Sequence, residues 1–170
     1  MRKTVDILGV NIDTFTAVQA LDYIARLVEG GRSHYIVTPN PEFIMQSLKD
    51  SEFRDIVNGA DLALPDGVGI LWAAKYLSLP ISQWKPLAKL QAYWQWWCIG
   101  VRIVAQPKSL TDIIPERVTG ADMVWEISKL ASKQGWSVFL LGGAPGVAEE
   151  AAKCLQWLYP NLQIVGATSG

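Results

Sequence analysis

One pattern constrains this chain more than any other: short apolar runs stop at loops of Gly, Pro, Asp and Asn, and helix-patterned segments follow. Tyr35-Ile36-Val37 runs into Thr38-Pro39-Asn40-Pro41-Glu42, and Leu62-Ala63-Leu64 runs into Pro65-Asp66-Gly67-Val68-Gly69. Val138-Phe139-Leu140-Leu141 runs into Gly142-Gly143-Ala144-Pro145-Gly146. Proline has no N–H to give to a ladder, so each strand is predicted to end where its loop begins. Strands alternating with helices predict an α/β fold, with a mainly parallel sheet covered by helices on both faces. In such sheets ligands gather beyond the carboxyl ends of the strands. Chemistry is therefore expected in the loops after Val37, Leu64, Leu141 and Val165.

The helices between these strands carry their own signals. Thr16-Ala17-Val18-Gln19 has the spacing of a capping box, and Val18, Leu21, Ala25 and Val28 recur at helical spacing before Gly30-Gly31 ends the run. Phe43 to Asn58 reads as helical with a break near Asp50-Ser51, and Gly59 is its stop. A further helix is predicted after Gly69 through Leu77, and another from Val147 to Leu158 with Ala148, Ala152 and Leu155 on one stripe. Val5 to Leu8, Val10 to Ile12 and Leu162 to Val165 complete the strands. With 170 residues, one domain spanning 1–170 is expected.

Composition excludes several classes. The chain is 50% hydrophobic and 18% charged, which rules out a disordered segment. A net charge of -1 without a long basic block argues against nucleic-acid binding. Cys98 and Cys154 lie far apart in apolar stretches, so neither a disulfide framework nor a zinc site is indicated, and a reducing compartment is the simpler reading. Arg2 and Lys3 resemble the start of an export signal, but Asp6, Asn11 and Asp13 interrupt its apolar core, so export is not expected.

The segment 80–115 differs from its surroundings. It holds Trp84, Tyr93, Trp94, Trp96 and Trp97, with Lys85, Lys89 and Arg102 around them. Its apolar run, Leu90 to Ala105, falls short of the roughly 20 residues of a spanning helix. Trp and Tyr favour a membrane interface, where the ring is buried and its polar edge stays wet. The segment reads either as an interfacial or partner-binding insertion or as a helical excursion packed on the domain.

Candidate chemistry lies on the loops. The turn of Gly142, Gly143, Ala144, Pro145 and Gly146 suits a diphosphate, because glycines allow close backbone approach and helix-start amides attract anions; equally, it suits a tight strand-to-helix connection. It is neither a dinucleotide fingerprint nor a P-loop. Asp66 places a carboxylate at the ligand-bearing edge, or caps the next helix. Thr38 and Asn40 either bind sugar hydroxyls or stabilise the turn around Pro39. Arg117 offers a planar fork for phosphate oxygens. His34 reads as structural. There is no Ser/His/Asp arrangement, metal-ligand cluster or Asp-x-Asp motif, so neither a metal nor a cofactor is expected.

Taken in order, these pieces resemble the WecG/TagA/CpsF family, glycosyltransferase family 26. The resemblance rests on Asp6-Ile7-Leu8-Gly9-Val10 with Asn11-Ile12-Asp13, Thr38-Pro39-Asn40-Pro41-Glu42-Phe43, and Ala60-Asp61 through Asp66-Gly67-Val68-Gly69. It continues through Pro115-Glu116-Arg117-Val118-Thr119-Gly120-Ala121-Asp122 and Phe139 to Ala148, so that the pieces span nearly the whole chain except the Trp-rich segment. It implies a Rossmann-like, inverting enzyme that moves N-acetylmannosamine or a related sugar from a UDP donor to N-acetylglucosamine on an undecaprenyl diphosphate carrier, in teichoic acid or surface-polysaccharide synthesis. Asp66 would be the base, Thr38 and Asn40 would line its pocket, and Arg117 with the Gly142, Gly143, Ala144 and Gly146 turn would meet the UDP diphosphate. Such an enzyme works in the cytoplasm against the inner face of the membrane, with homo-oligomerisation left open. The family pattern continues past the strand matching Leu162 to Val165, so the domain is expected to be incomplete at its C-terminal end. A nucleotide-sugar-binding or assembly module without turnover is the alternative. A Rossmann-type oxidoreductase is disfavoured by the missing fingerprint.

Overall fold

The computed structural model describes residues 2–80, 85–105 and 111–170; within 85–105, side chains are described from 89 to 101. Trp84 and the side chains of Lys85 and Arg102, all singled out above, lie outside the described residues. Packing separates two compact units, Met1–Gly120 and Ala121–Gly170.

The first unit opens with a hairpin of β1 (Thr4–Ile7) and β2 (Val10–Asp13), antiparallel with Thr4 opposite Asp13. Its two-residue turn, Leu8-Gly9, has positive φ at both positions, 54° and 91°, the backbone that a tight hairpin requires. The helix α1 (Ala17–Glu29) starts at the expected capping box: Thr16 Oγ1 accepts from Gln19 N, and Gln19 Oε1 accepts from Thr16 N. Gly30 closes it. Its inward stripe differs from the one predicted. Ala20 and Ile24 are buried, whereas Val18 is 67% and Val28 47% exposed. Both sets of positions satisfy helical spacing, and packing selects the one around Ala20 and Ile24.

Next come β3 (Ile36–Val37), α2 (Pro41–Ser47), α3 (Ser51–Asn58), β4 (Leu62–Ala63) and α4 (Val68–Leu77). The predicted break near Asp50 is a helix start, since Asp50 Oδ1 accepts from Phe53 N at 2.9 Å. Strands β3 and β4 pair in parallel, Ile36 with Leu62 and Val37 with Ala63. The pairing is pinned at its entrance. Asp61 holds His34 Nδ1 at 2.8 Å through Oδ1 and accepts from Tyr35 N at 3.1 Å through Oδ2. His34 thus helps to fix the strand entrance, in keeping with a structural reading. The long helix α5 (Lys85–Ala105) follows, and its Ile99 joins Ile7, Val10, Ile12, Ile70 and Ile114 in the core of this unit.

The helix α6 (Gly120–Gln134) leads into the second unit, which continues with β5 (Ser137–Leu141), α7 (Val147–Leu158) and β6 (Gln163–Thr168). Strands β5 and β6 are parallel, with a register shift between Val138 and Phe139. Ala131, Leu155 and Leu162 form its core with Val138, Leu140 and Ile164 packed against them.

The α/β class is as expected, but the single parallel sheet with both faces covered is not seen. The described strands form three two-stranded sheets, one antiparallel and two parallel. Within the second unit, Val138, Leu140 and Ile164 pack on its core, whereas Phe139, Leu141 and Val165 stay off it. Apolar runs in β5 and β6 suggested strands covered on both sides, whereas burial alternates along β5 as in a half-covered sheet.

Candidate functional site

Two strand ends of the first unit converge because β3 and β4 are neighbours in register. Beyond them the chain stays paired: Leu64 N donates to Val37 O at 2.9 Å, and Asp66 N donates to Pro39 O at 3.0 Å. This carries Thr38-Pro39-Asn40 and Pro65-Asp66-Gly67 forward side by side. A third strip joins them, since Val118 N donates to Pro65 O at 3.0 Å and Gly120 N approaches Asp66 Oδ2 at 3.4 Å. Gly120 also sits against Thr38: a Cβ added there would stand 3.1 Å from Thr38 Oγ1. Thr38, Asp66 and the 118–120 strip therefore form one polar rim over the fully buried Pro39.

The predicted residues of the first unit all lie on or beside this rim. Asp66 is partly exposed and does not cap α4, whose N-cap is Gly67 without a side-chain bond. Gly67 has φ 93°, so only a residue without Cβ lets the chain turn there from strand end to helix. Asn40 is the cap of α2: its Oδ1 accepts from Phe43 N at 3.0 Å, and its amide Nδ2 makes no hydrogen bond among the described residues. Arg117 is exposed on the 115–120 strip and makes no hydrogen bond or ion pair among the described residues. Glu116, next to it, is committed elsewhere, accepting from Ala17 N at 2.8 Å.

Beneath the rim lies a polar anchor that the sequence reading missed. Asp13 is fully buried and takes a paired contact from Arg2, Nε at 2.7 Å and Nη2 at 2.9 Å. Its Oδ2 also accepts from Ala63 N at 2.8 Å, and Arg2 Nη1 donates to Ala60 O at 3.1 Å. The hydrogen bond to Asp13 holds the Arg2 guanidinium above its ordinary pKa, against a smaller opposing effect of burial. The pair thus ties the hairpin to the strand that delivers Asp66. In the sequence Arg2 reads as part of a basic leader, and nothing local marks its partner eleven residues on.

In the second unit the glycine turn has the backbone that its composition implied. Gly142, Gly143 and Gly146 have φ of 118°, 84° and 86°, and Gly146 starts α7 with no side-chain cap. Gly142 N donates to Thr168 O and Val147 N to Ala144 O, while the amides of Gly143, Ala144 and Gly146 have no such partner among the described residues. Glu149 and Glu150 occupy the first turn of α7 and offset part of its positive end. Both readings of the turn, connection and anion cradle, are compatible with this geometry.

Comparison with known proteins gives a consistent picture. The profile of the glycosyl transferase WecG/TagA/CpsF family matches residues 5–91 and 87–170. Among curated proteins, the chain is similar to the N-acetylglucosaminyldiphosphoundecaprenol N-acetyl-beta-D-mannosaminyltransferases of Staphylococcus aureus strains COL and MRSA252. Identity to each is 26% over 160 residues, covering 93% of this chain and 50% of the relative. The chain thus spans about half the length of the curated relatives it matches.

Proposed function

Because this chain belongs to the WecG/TagA/CpsF glycosyl transferase family, we propose that it is the catalytic portion of an N-acetylmannosaminyltransferase. The donor is a UDP sugar, and the acceptor is N-acetylglucosamine on a lipid diphosphate of the undecaprenol type named for its relatives. The Rossmann-like fold of the family is proposed for the whole enzyme. The lipid anchor of the acceptor sets the reaction at a membrane surface, so the protein works peripherally on the inner face. The relatives' names specify a beta product, and a nucleotide sugar with an α anomeric bond reaches it by a single inverting displacement.

The single observation that carries this reading is the convergence of Thr38, Asp66 and the 118–120 strip on two neighbouring strand ends. Asp66 takes the proton of the acceptor hydroxyl as that oxygen attacks the anomeric carbon. The bond from that carbon to the diphosphate oxygen breaks, and UDP leaves with its electron pair. A positioned base of this kind is worth roughly a hundred- to ten-thousand-fold in rate. Thr38 and the Asn40 amide orient sugar hydroxyls, and Arg117 meets charge building on the leaving diphosphate. For the second unit the proposal is confined to its own turn, where the amides of Gly143, Ala144 and Gly146 bind phosphate oxygens.

The test is release of UDP from UDP-N-acetylmannosamine with and without a short-chain lipid diphosphate bearing N-acetylglucosamine. Release that requires acceptor supports transfer. Saturable UDP binding without acceptor-dependent release points instead to a binding or assembly module.

A further inference from the structure

The helix α5 is fastened along one side only. Ile99 is buried in the core of the first unit at 4% exposure. Gln91 and Gln95 each donate from Nε2 to Pro80 O at 3.0 Å, and the Tyr76 hydroxyl meets Ala92 O at 3.4 Å. Positions 91, 92, 95 and 99 thus share an inward arc, as helical spacing requires. The outward arc holds Leu90, Tyr93, Trp94, Trp96, Trp97 and Val101, which are 47% to 72% exposed. A water-facing arc ordinarily carries charged side chains. Here rings pack on rings instead: Trp94 stacks on Trp97 at 5.8 Å, and Tyr93 lies 5.9 Å from Trp96.

The charge that flanks this aromatic run in the sequence is one-sided. From Gly67 to Thr111 the sequence has none of the chain's 16 Asp and Glu; Lys75 in this stretch pairs with Asp112 at 2.6 Å, which leaves Lys85, Lys89, Arg102 and Lys108 to flank the aromatic run in sequence. A partner for this face must accept aromatic side chains and be anionic. The order of residues separates the two anionic candidates. Lys85 and Lys89 precede the aromatic run and Arg102 and Lys108 follow it, with no cation inside. A single-stranded nucleic acid needs cations interleaved with rings to track its backbone. An interfacial helix instead places rings at the acyl boundary and its cations among headgroup phosphates. No described helix is long and apolar enough to cross a membrane, so α5 would lie along the surface.

We infer that α5 docks this protein in the plane of an anionic phospholipid bilayer, with Tyr93, Trp94, Trp96 and Trp97 entering the headgroup region. The inference deepens the peripheral part of the proposed function and rests on it, while naming the surface and the lipid class.

Vesicles of pure phosphatidylcholine and vesicles with about a third phosphatidylglycerol, sedimented with the full chain, provide the test. Binding to the anionic vesicles is expected, and the double variant Trp94→Gln/Trp97→Gln should weaken it at least about tenfold. Lys89→Gln should weaken it severalfold, as should about 0.5 M salt. Both variants should unfold with wild-type midpoints, because the replaced side chains lie on the exposed arc. Wild-type vesicle binding by the double variant overturns the inference. So does failure of the wild type to bind anionic vesicles, including a case in which light scattering shows self-association abolished by the double variant, or an oligonucleotide binds instead. The vesicles contain neither donor nor acceptor, so the outcomes separate. Vesicle binding without transfer contradicts the proposed reaction alone, and transfer to a short-chain acceptor without vesicle binding contradicts this docking alone.

Discussion

Asp66 is held by backbone rather than by side chains, and this makes its surroundings sensitive to single atoms. Its amide is fixed to Pro39 O and its carboxylate faces Gly120 N. Gly120→Ala would put a methyl carbon 3.1 Å from Thr38 Oγ1 and 3.5 Å from its Cγ2, so Thr38 must shift by a few tenths of an ångström. We expect roughly a tenfold loss of turnover with a small change in melting temperature, read by comparing kcat with a thermal melt. Asp13→Ala should act oppositely, on stability first. It leaves Ala63 N without its acceptor and Arg2 without its partner, at about 2–3 kcal/mol by urea unfolding. Asp61 adds a pH dependence. The hydrogen bond from His34, then that from Tyr35 N, holds its carboxyl below the ordinary value. A lowered folded pKa means the contribution is complete above the unfolded value and fades as pH falls through the folded one. The melting difference between wild type and Asp61→Asn should shrink as pH falls below about pH 4. At this scale, loop residues next to strands were legible because strand ends are where short polar groups collect. The pairings of Asp66 with Gly120 and of Arg2 with Asp13 were not. The first spans 54 residues, and the second joins residues that read locally as a charged leader and an interrupted apolar run.

Elements carry their own consequences, and α5 is the clearest. Ile99 and Trp94 are both large and apolar, but one is 4% exposed and the other 64%. Ile99→Ala should cost about 2–4 kcal/mol, whereas Trp94→Gln should change stability by no more than about 0.5 kcal/mol, both from denaturant midpoints. Element limits were legible at several caps but not at Asn40, where α2 starts at Pro41 rather than at Phe43. Thr16 with Gln19, Asp50 after Leu48-Lys49, Gly59 and Gly146 all stand at helix ends. Helix faces were less legible. In α1 the spacing of Val18, Leu21, Ala25 and Val28 is as regular as that around Ala20 and Ile24, and only packing distinguishes them. Asn40 shows a related ambiguity, since one side chain can cap α2 with Oδ1 and keep Nδ2 for a ligand.

For the whole molecule, strand and helix order fixed the class but not the sheet. Which strands meet depends on contacts far apart in sequence, and short runs such as Ile36–Val37 and Leu62–Ala63 carry no mark of their neighbour. Coverage is equally non-local: Phe139, Leu141 and Val165 look like core residues in sequence, yet the second unit's own core takes Val138, Leu140 and Ile164 instead. What the two first-unit strands do achieve is the delivery of Thr38 and Asp66 to one rim, and the proposed transfer depends on that rim. The most direct measurement is single-turnover UDP release, with acceptor present, by wild type and by Asp66→Asn at equal folded concentration. A fall of roughly a hundred- to ten-thousand-fold with unchanged donor binding is the predicted result. Wild-type turnover in Asp66→Asn would contradict it.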